Sequence, residues 1–147
     1  MPHARPVPFA LATIAFAALV GVTGCAGMAA EKAGQQVRLY GTSEVPANTS
    51  SAWAAATVDI APDRSVTVTL NTIGMTPTMA HIHEGAAGTN GPVIVTLTKI
   101  TDEAFVAPQG ARLTEAQYAA YKAGNTYLNV HSAAYPGGEI RAQLAGR

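Results

Sequence analysis

From Val37 onward, apolar and polar residues alternate along most of the chain. "QVRLYGT" sets Val37, Leu39 and Gly41 on one face. "WAAATVDIA" groups Ala56, Val58 and Ile60, and "SVTVTLNTI" opposes Val66, Val68 and Leu70 to Thr67, Thr69 and Asn71. β-branched residues at period two are the pattern of a half-buried strand. "PDR", Pro62 to Arg64, reads as the turn between the last two runs. "TMAHIHE", "PVIVTLTKI", "TYLNVHS" and "GEIRAQLAG" read as further strands. About seven short strands divided by turn residues predict an all-β sandwich or barrel. One helix interrupts them over about 114–123, where Thr114 precedes Gln117 at capping-box spacing. Leu113 and Tyr118 stand at the staple positions, and Gly124 is placed to end the helix.

The segment before Val37 reads differently. "MPHARPVP" carries one arginine and no acid, and "FALATIAFAALVGV" is uncharged and apolar. It is shorter than the roughly 20 residues of a membrane span. A basic start, a short apolar stretch and small residues before a cut are the parts of a secretory signal. "VTGC", ending at Cys25, resembles the lipobox of bacterial lipoproteins. That resemblance implies a signal peptide over 1–24 and a lipid-bearing Cys25 as the new N-terminus. A flexible tether over 25–36 would follow, then a folded domain over 37–147. The protein is then exported and lipid-anchored to a bacterial membrane, facing the periplasm or the cell surface. The chain has one cysteine, so no disulfide can form within the domain.

Nine Lys and Arg balance nine Asp and Glu. Loss of Arg5 with the signal leaves no basic stripe, so nucleic acid is not an expected partner.

The chain has four histidines, and apart from His3 all fall in two of the expected strands. In "TMAHIHE", Ala80 and Ile82 share one face, while Met79, His81 and His83 share the other. In "TYLNVHS", Leu128 and Val130 oppose Tyr127, Asn129 and His131. The apolar faces must turn inward, so all three imidazoles project away from the core. Two imidazoles at i and i+2 on a strand, with a third from a neighbouring strand, form a set of nitrogens suited to zinc, copper, iron or nickel. The same residues also fit a structural role, with His83 bonded to the glycine loop that follows it and His131 to the "YPGGE" turn. Met79 offers a soft thioether on the His81 face. Glu139 lies on the imidazole face if the Ile140 strand pairs with the His131 strand, and there it would orient a histidine. No Ser–His–Asp set, carboxylate pair or phosphate-binding loop is present, so an enzyme is not the first expectation.

"LYGTSEVPANTSSAWAAATVDI", "GMTPTMAHIHEGAAGTNGPVIVTL" and "LTEAQYAAYKAGNTYLNVHSAAYPGGEIRAQL" together resemble the CHRD (chordin) domain family, in the family's order. The resemblance implies an exported β-sandwich module, here taken as a Greek-key, immunoglobulin-like sandwich of about seven strands. It implies no single activity. "HIHE" and "LNVH" also resemble the copper-binding strands of Cu/Zn superoxide dismutase. That likeness implies His81, His83 and His131 as copper ligands. The loop after Glu84 lacks the zinc-holding histidines and aspartate of that family, and Arg141 follows the CHRD pattern. The expectation is therefore a copper-binding or copper-handling module, with zinc as the second ion. A metal-free protein-interaction module of the cell envelope is the alternative, and a dismutase-like redox enzyme the third.

Overall fold

A computed structural model of the chain describes residues 1, 3 and 34–147. The expected signal peptide, Cys25 and the tether up to residue 33 lie outside the described residues.

Among the described residues, nine strands and one α-helix follow one another: β1 (Gln35–Tyr40), β2 (Trp53–Ile60), β3 (Val66–Ile73), β4 (Pro77–Glu84), β5 (Val93–Thr96), β6 (Thr98–Lys99), β7 (Ala104–Val106), α1 (Glu115–Lys122), β8 (Thr126–Ser132) and β9 (Ile140–Gln143). They form one antiparallel sheet in the order β5-β4-β8-β9-β1-β2-β3-β7-β6. The alternating positions named from the sequence turn Leu39, Ala56, Val58, Ile60, Val66, Val68, Leu70, Ala80, Ile82, Leu128 and Val130 into a single core. Each large side chain buried there contributes roughly 1.5–3 kcal/mol of hydrophobic free energy.

The domain is all-β as expected, with nine strands rather than about seven, hydrogen-bonded into a single sheet. Two layers would part where β1 meets β9, but Tyr40 pairs with Arg141 and carries the ladder across. The stretch "PVIVTLTKI", which alternation reads as one strand, serves as two. β5 pairs with β4 and β6 pairs with β7 at the opposite edge of the sheet. Leu97 alone separates them; its N–H donates to Ala80 O at 2.9 Å and its side chain is buried. The sheet is thereby nearly closed. β7 escapes the sequence because three residues are too few to show a period.

α1 forms where the capping box places it. Thr114 Oγ1 accepts from Gln117 N at 3.2 Å, and Gln117 Oε1 accepts from Thr114 N at 2.8 Å. Gly124, at φ +76°, follows the helix in the left-handed conformation that glycine tolerates.

The first described strand begins at Gln35, two residues before the alternation noted from Val37. Gln35 looks like tether but is buried, with both ends of its amide on the backbone of Ala145. Nε2 donates to the carbonyl at 3.1 Å, and Oε1 accepts from the N–H at 3.0 Å.

A candidate metal centre

β4 and β8 are direct neighbours, with His81 opposite Asn129, His83 opposite Tyr127 and Met79 opposite His131. Directly opposed residues in an antiparallel pair share a face. His81, His83, His131, Asn129 and Tyr127 therefore gather on the side of the sheet away from Ala80, Ile82, Leu128 and Val130.

That side is not open to solvent. His81, His83 and His131 are 8%, 8% and 7% exposed, and all seven residues of β8 are buried. The loop after β4 and the turn between β8 and β9 fold over the imidazoles. Both loops hydrogen-bond to them. His83 Nδ1–H donates to Gly91 O, and His131 Nδ1–H donates to Pro136 O, each at 2.9 Å. These are the two structural bonds the sequence suggested, and they leave the other nitrogen of each ring facing the cluster.

His131 Nε2 meets His81 Nδ1 at 3.0 Å. With His131 Nδ1 donating elsewhere, Nε2 carries a lone pair, so His81 Nδ1–H is the donor. One candidate ligand nitrogen from each of the three residues lies within 4.8 Å of the others. The carbonyl bonds leave Nε2 of His83 and of His131 for this role, and the contact with His131 Nε2 points to Nδ1 of His81. Carbonyl acceptors on the far nitrogen are how ligating histidines are usually held.

Burial pushes the His81 imidazole down to about 4, with His131 and His83 adding to the effect. His131 is also lowered, by burial, against the opposing pull of the Pro136 carbonyl. At neutral pH both rings are uncharged, the form in which imidazole binds a metal.

The surrounding residues divide. Met79 stands on the histidine face and is 48% exposed. Glu139 is buried, and its carboxylate accepts from Ser50 Oγ at 2.6 Å rather than from an imidazole. Arg141 is buried: it donates to Asn90 Oδ1 and Thr89 O at 3.1 and 2.8 Å, and its guanidinium lies 3.4 Å over the Tyr127 ring. Tyr127 in turn stacks on His83 at 4.7 Å and 5°. Arg141 thus pins the covering loop and braces one histidine from behind.

Asn129 and Glu44 enter the site without having been expected there. Asn129 Oδ1 lies 3.1 Å from His83 Nε2, and its amide nitrogen donates to Glu44 Oε1 at 3.4 Å. Burial raises the Glu44 carboxyl, while Asn129, the Val45 backbone and Arg141 pull it back down. Alternation already placed Asn129 on the histidine face. Glu44 and the carbonyls of Gly91 and Pro136 come from loops, whose paths no periodicity records.

A small all-β domain with three converging imidazoles, two of them held neutral, is a β-module with a candidate metal centre. The chain belongs to the CHRD domain family, whose model matches residues 35–144. No curated protein and no solved structure gives a significant match. The likeness to the dismutase copper strands accordingly rests on His81, His83 and His131 alone.

Proposed function

We propose that the domain binds a transition-metal ion through His81 Nδ1, His83 Nε2 and His131 Nε2, with copper the favoured ion and zinc the second. The observation that carries this is the convergence of three imidazoles on one covered face, two of them with Nδ1 tied to a backbone carbonyl. When bound, the ion supplies a Lewis-acidic or redox centre; the chain's own part is to orient three nitrogens and shield them from water. Handling, buffering or sensing of copper fits this covered, hydrogen-bonded face better than turnover. With Cys25 lipidated, the module would act at a bacterial envelope.

Titration of the purified chain with Cu(I), Cu(II) and Zn(II) tests the proposal. The expected result is one tight site that is lost in a His81→Ala, His83→Ala, His131→Ala variant, with affinity falling as pH drops toward the lowered values of His131 and His81, the latter about 4. Equal binding by both proteins would refute it. Superoxide turnover by the copper-loaded chain would instead favour the enzymatic reading.

A second reading has its own support. A cleft of about 450 Å³ opens beside the site, lined by Glu44, Pro46, Asn90, Tyr135 and Gly138 among others. An envelope protein docking there without metal would be captured equally well after chelation.

A further inference from the structure

Asn129 sits in the middle of the histidine cluster. It stands directly opposite His81, two residues before His131 on β8, and diagonal to His83. It is only 3% exposed. Its amide is oriented by Glu44: Nδ2 donates to Glu44 Oε1 at 3.4 Å, which leaves Oδ1 turned to His83. Gly138, at φ +134°, lets the two groups meet, since a Cβ there would lie 2.6 Å from Glu44 Oε1 and 2.7 Å from Asn129 Nδ2.

His83 meets the Asn129 oxygen with no proton to offer. A neutral imidazole has one N–H, and His83 spends it on Gly91 O. His83 Nε2 and Asn129 Oδ1 are therefore two lone-pair atoms facing each other at 3.1 Å. Buried acceptors left in such opposition are costly. A cation between them turns repulsion into attraction. Two donors each about 2.0–2.2 Å from one ion, and near a right angle, stand roughly 3 Å apart. The observed gap has that width.

We infer, resting on the metal-binding reading, that Asn129 Oδ1 is the fourth ligand of the site, beside His81, His83 and His131. An amide oxygen is a hard donor, which suits Cu(II) or Zn(II) and offers little to Cu(I). Three nitrogens and one oxygen make this a centre for a divalent ion. The soft donor that would favour Cu(I), the Met79 thioether, stands opposite His131 and is 48% exposed, whereas the amide is buried among the imidazoles.

The test titrates the full chain with Cu(II), Zn(II) and Cu(I) by competition, with the triple histidine variant as background. Asn129→Ala should weaken Cu(II) and Zn(II) binding on the order of 10- to 100-fold and leave Cu(I) near wild type. Asn129→Asp combined with Glu44→Gln exchanges amide and carboxylate without changing the charge. It keeps an oxygen toward His83 and a donor behind it, and should bind Cu(II) and Zn(II) at least as tightly as the wild type. Ligation also has a signature that needs no variant. Pulsed EPR of the Cu(II)-loaded wild-type chain, with asparagine carrying carbon-13 at Cγ, should show a strong carbon hyperfine coupling that unlabelled protein lacks. Absence of that coupling, unchanged Cu(II) and Zn(II) affinity in Asn129→Ala, or an equal loss for all three ions would each overturn Asn129 as a ligand and leave the histidine site standing. Wild-type binding no stronger than that of the triple histidine variant would overturn the metal reading, and this ligand with it.

Discussion

Acidification should unfold this domain through His81. Above pH 6.5 the ring is neutral in both the folded and the unfolded chain, and it adds no pH dependence. Folding lowers it from 6.5 to about 4 through burial and the neighbouring imidazoles. Between those values the unfolded chain takes up a proton that the folded chain refuses. Stability present above the unfolded value is therefore lost as pH falls, at up to about 1.4 kcal/mol per pH unit and roughly 3 kcal/mol in all. His131 acts in the same direction. Glu44 acts against it, because a raised carboxyl holds its proton more tightly in the folded state. The contribution of His81 is thus read as a difference between two proteins. His81→Asn keeps an N–H at the Nδ1 position to donate to His131 and removes the titration. Denaturant unfolding in a chelator at pH 7.5, 6.5, 5.5 and 4.5 should show the two proteins losing stability at different rates below pH 6.5. The wild-type curve should be the steeper, by about 2 kcal/mol or more at pH 4.5. Parallel curves would refute the reasoning, since burial of a neutral ring would then not be the source of the shift.

Other changes have equally direct readings. Zn(II) at a hundredfold excess over its dissociation constant should raise unfolding free energy by about 2.7 kcal/mol in the wild type, and leave the triple histidine variant unmoved in a thermal melt. Gly138→Ala should cost on the order of 1–3 kcal/mol in chemical denaturation, from its left-handed φ and the clash with Glu44 and Asn129. Tyr127→Ala removes the ring between Arg141 and His83; it should cost about 3–5 kcal/mol in the same assay and loosen the covering loop in hydrogen exchange. Thr114→Ala should cost about 1 kcal/mol through the lost capping box, without changing metal affinity.

Much of the scaffold was legible because alternation reports burial directly. The core positions of β1 to β4 and of β8, and the helix with its Thr114 cap, stand where pattern and spacing put them. The closure of the sheet was not legible, because Leu97 continues the alternation while handing the chain from one edge to the other. The grouping of His81, His83 and His131 followed from period two plus one condition, the adjacency of β4 and β8, which the structure meets. Their burial did not follow. Period two says which face a side chain takes but not whether a loop folds over that face, and both covering loops bond through backbone carbonyls that carry no sequence signature. Glu139 shows the same limit: the strand face was readable, but its partner Ser50 lies on a segment without periodicity.

The amide of Gln35 joins the first strand to Ala145, so the folded unit is entered and left at the same place. A domain with adjoining ends can be spliced into a loop of another protein, or threaded in series with copies of itself, without prying either host or guest apart. Its architecture suits reuse as an exchangeable part, and the histidine cluster would travel intact with each insertion.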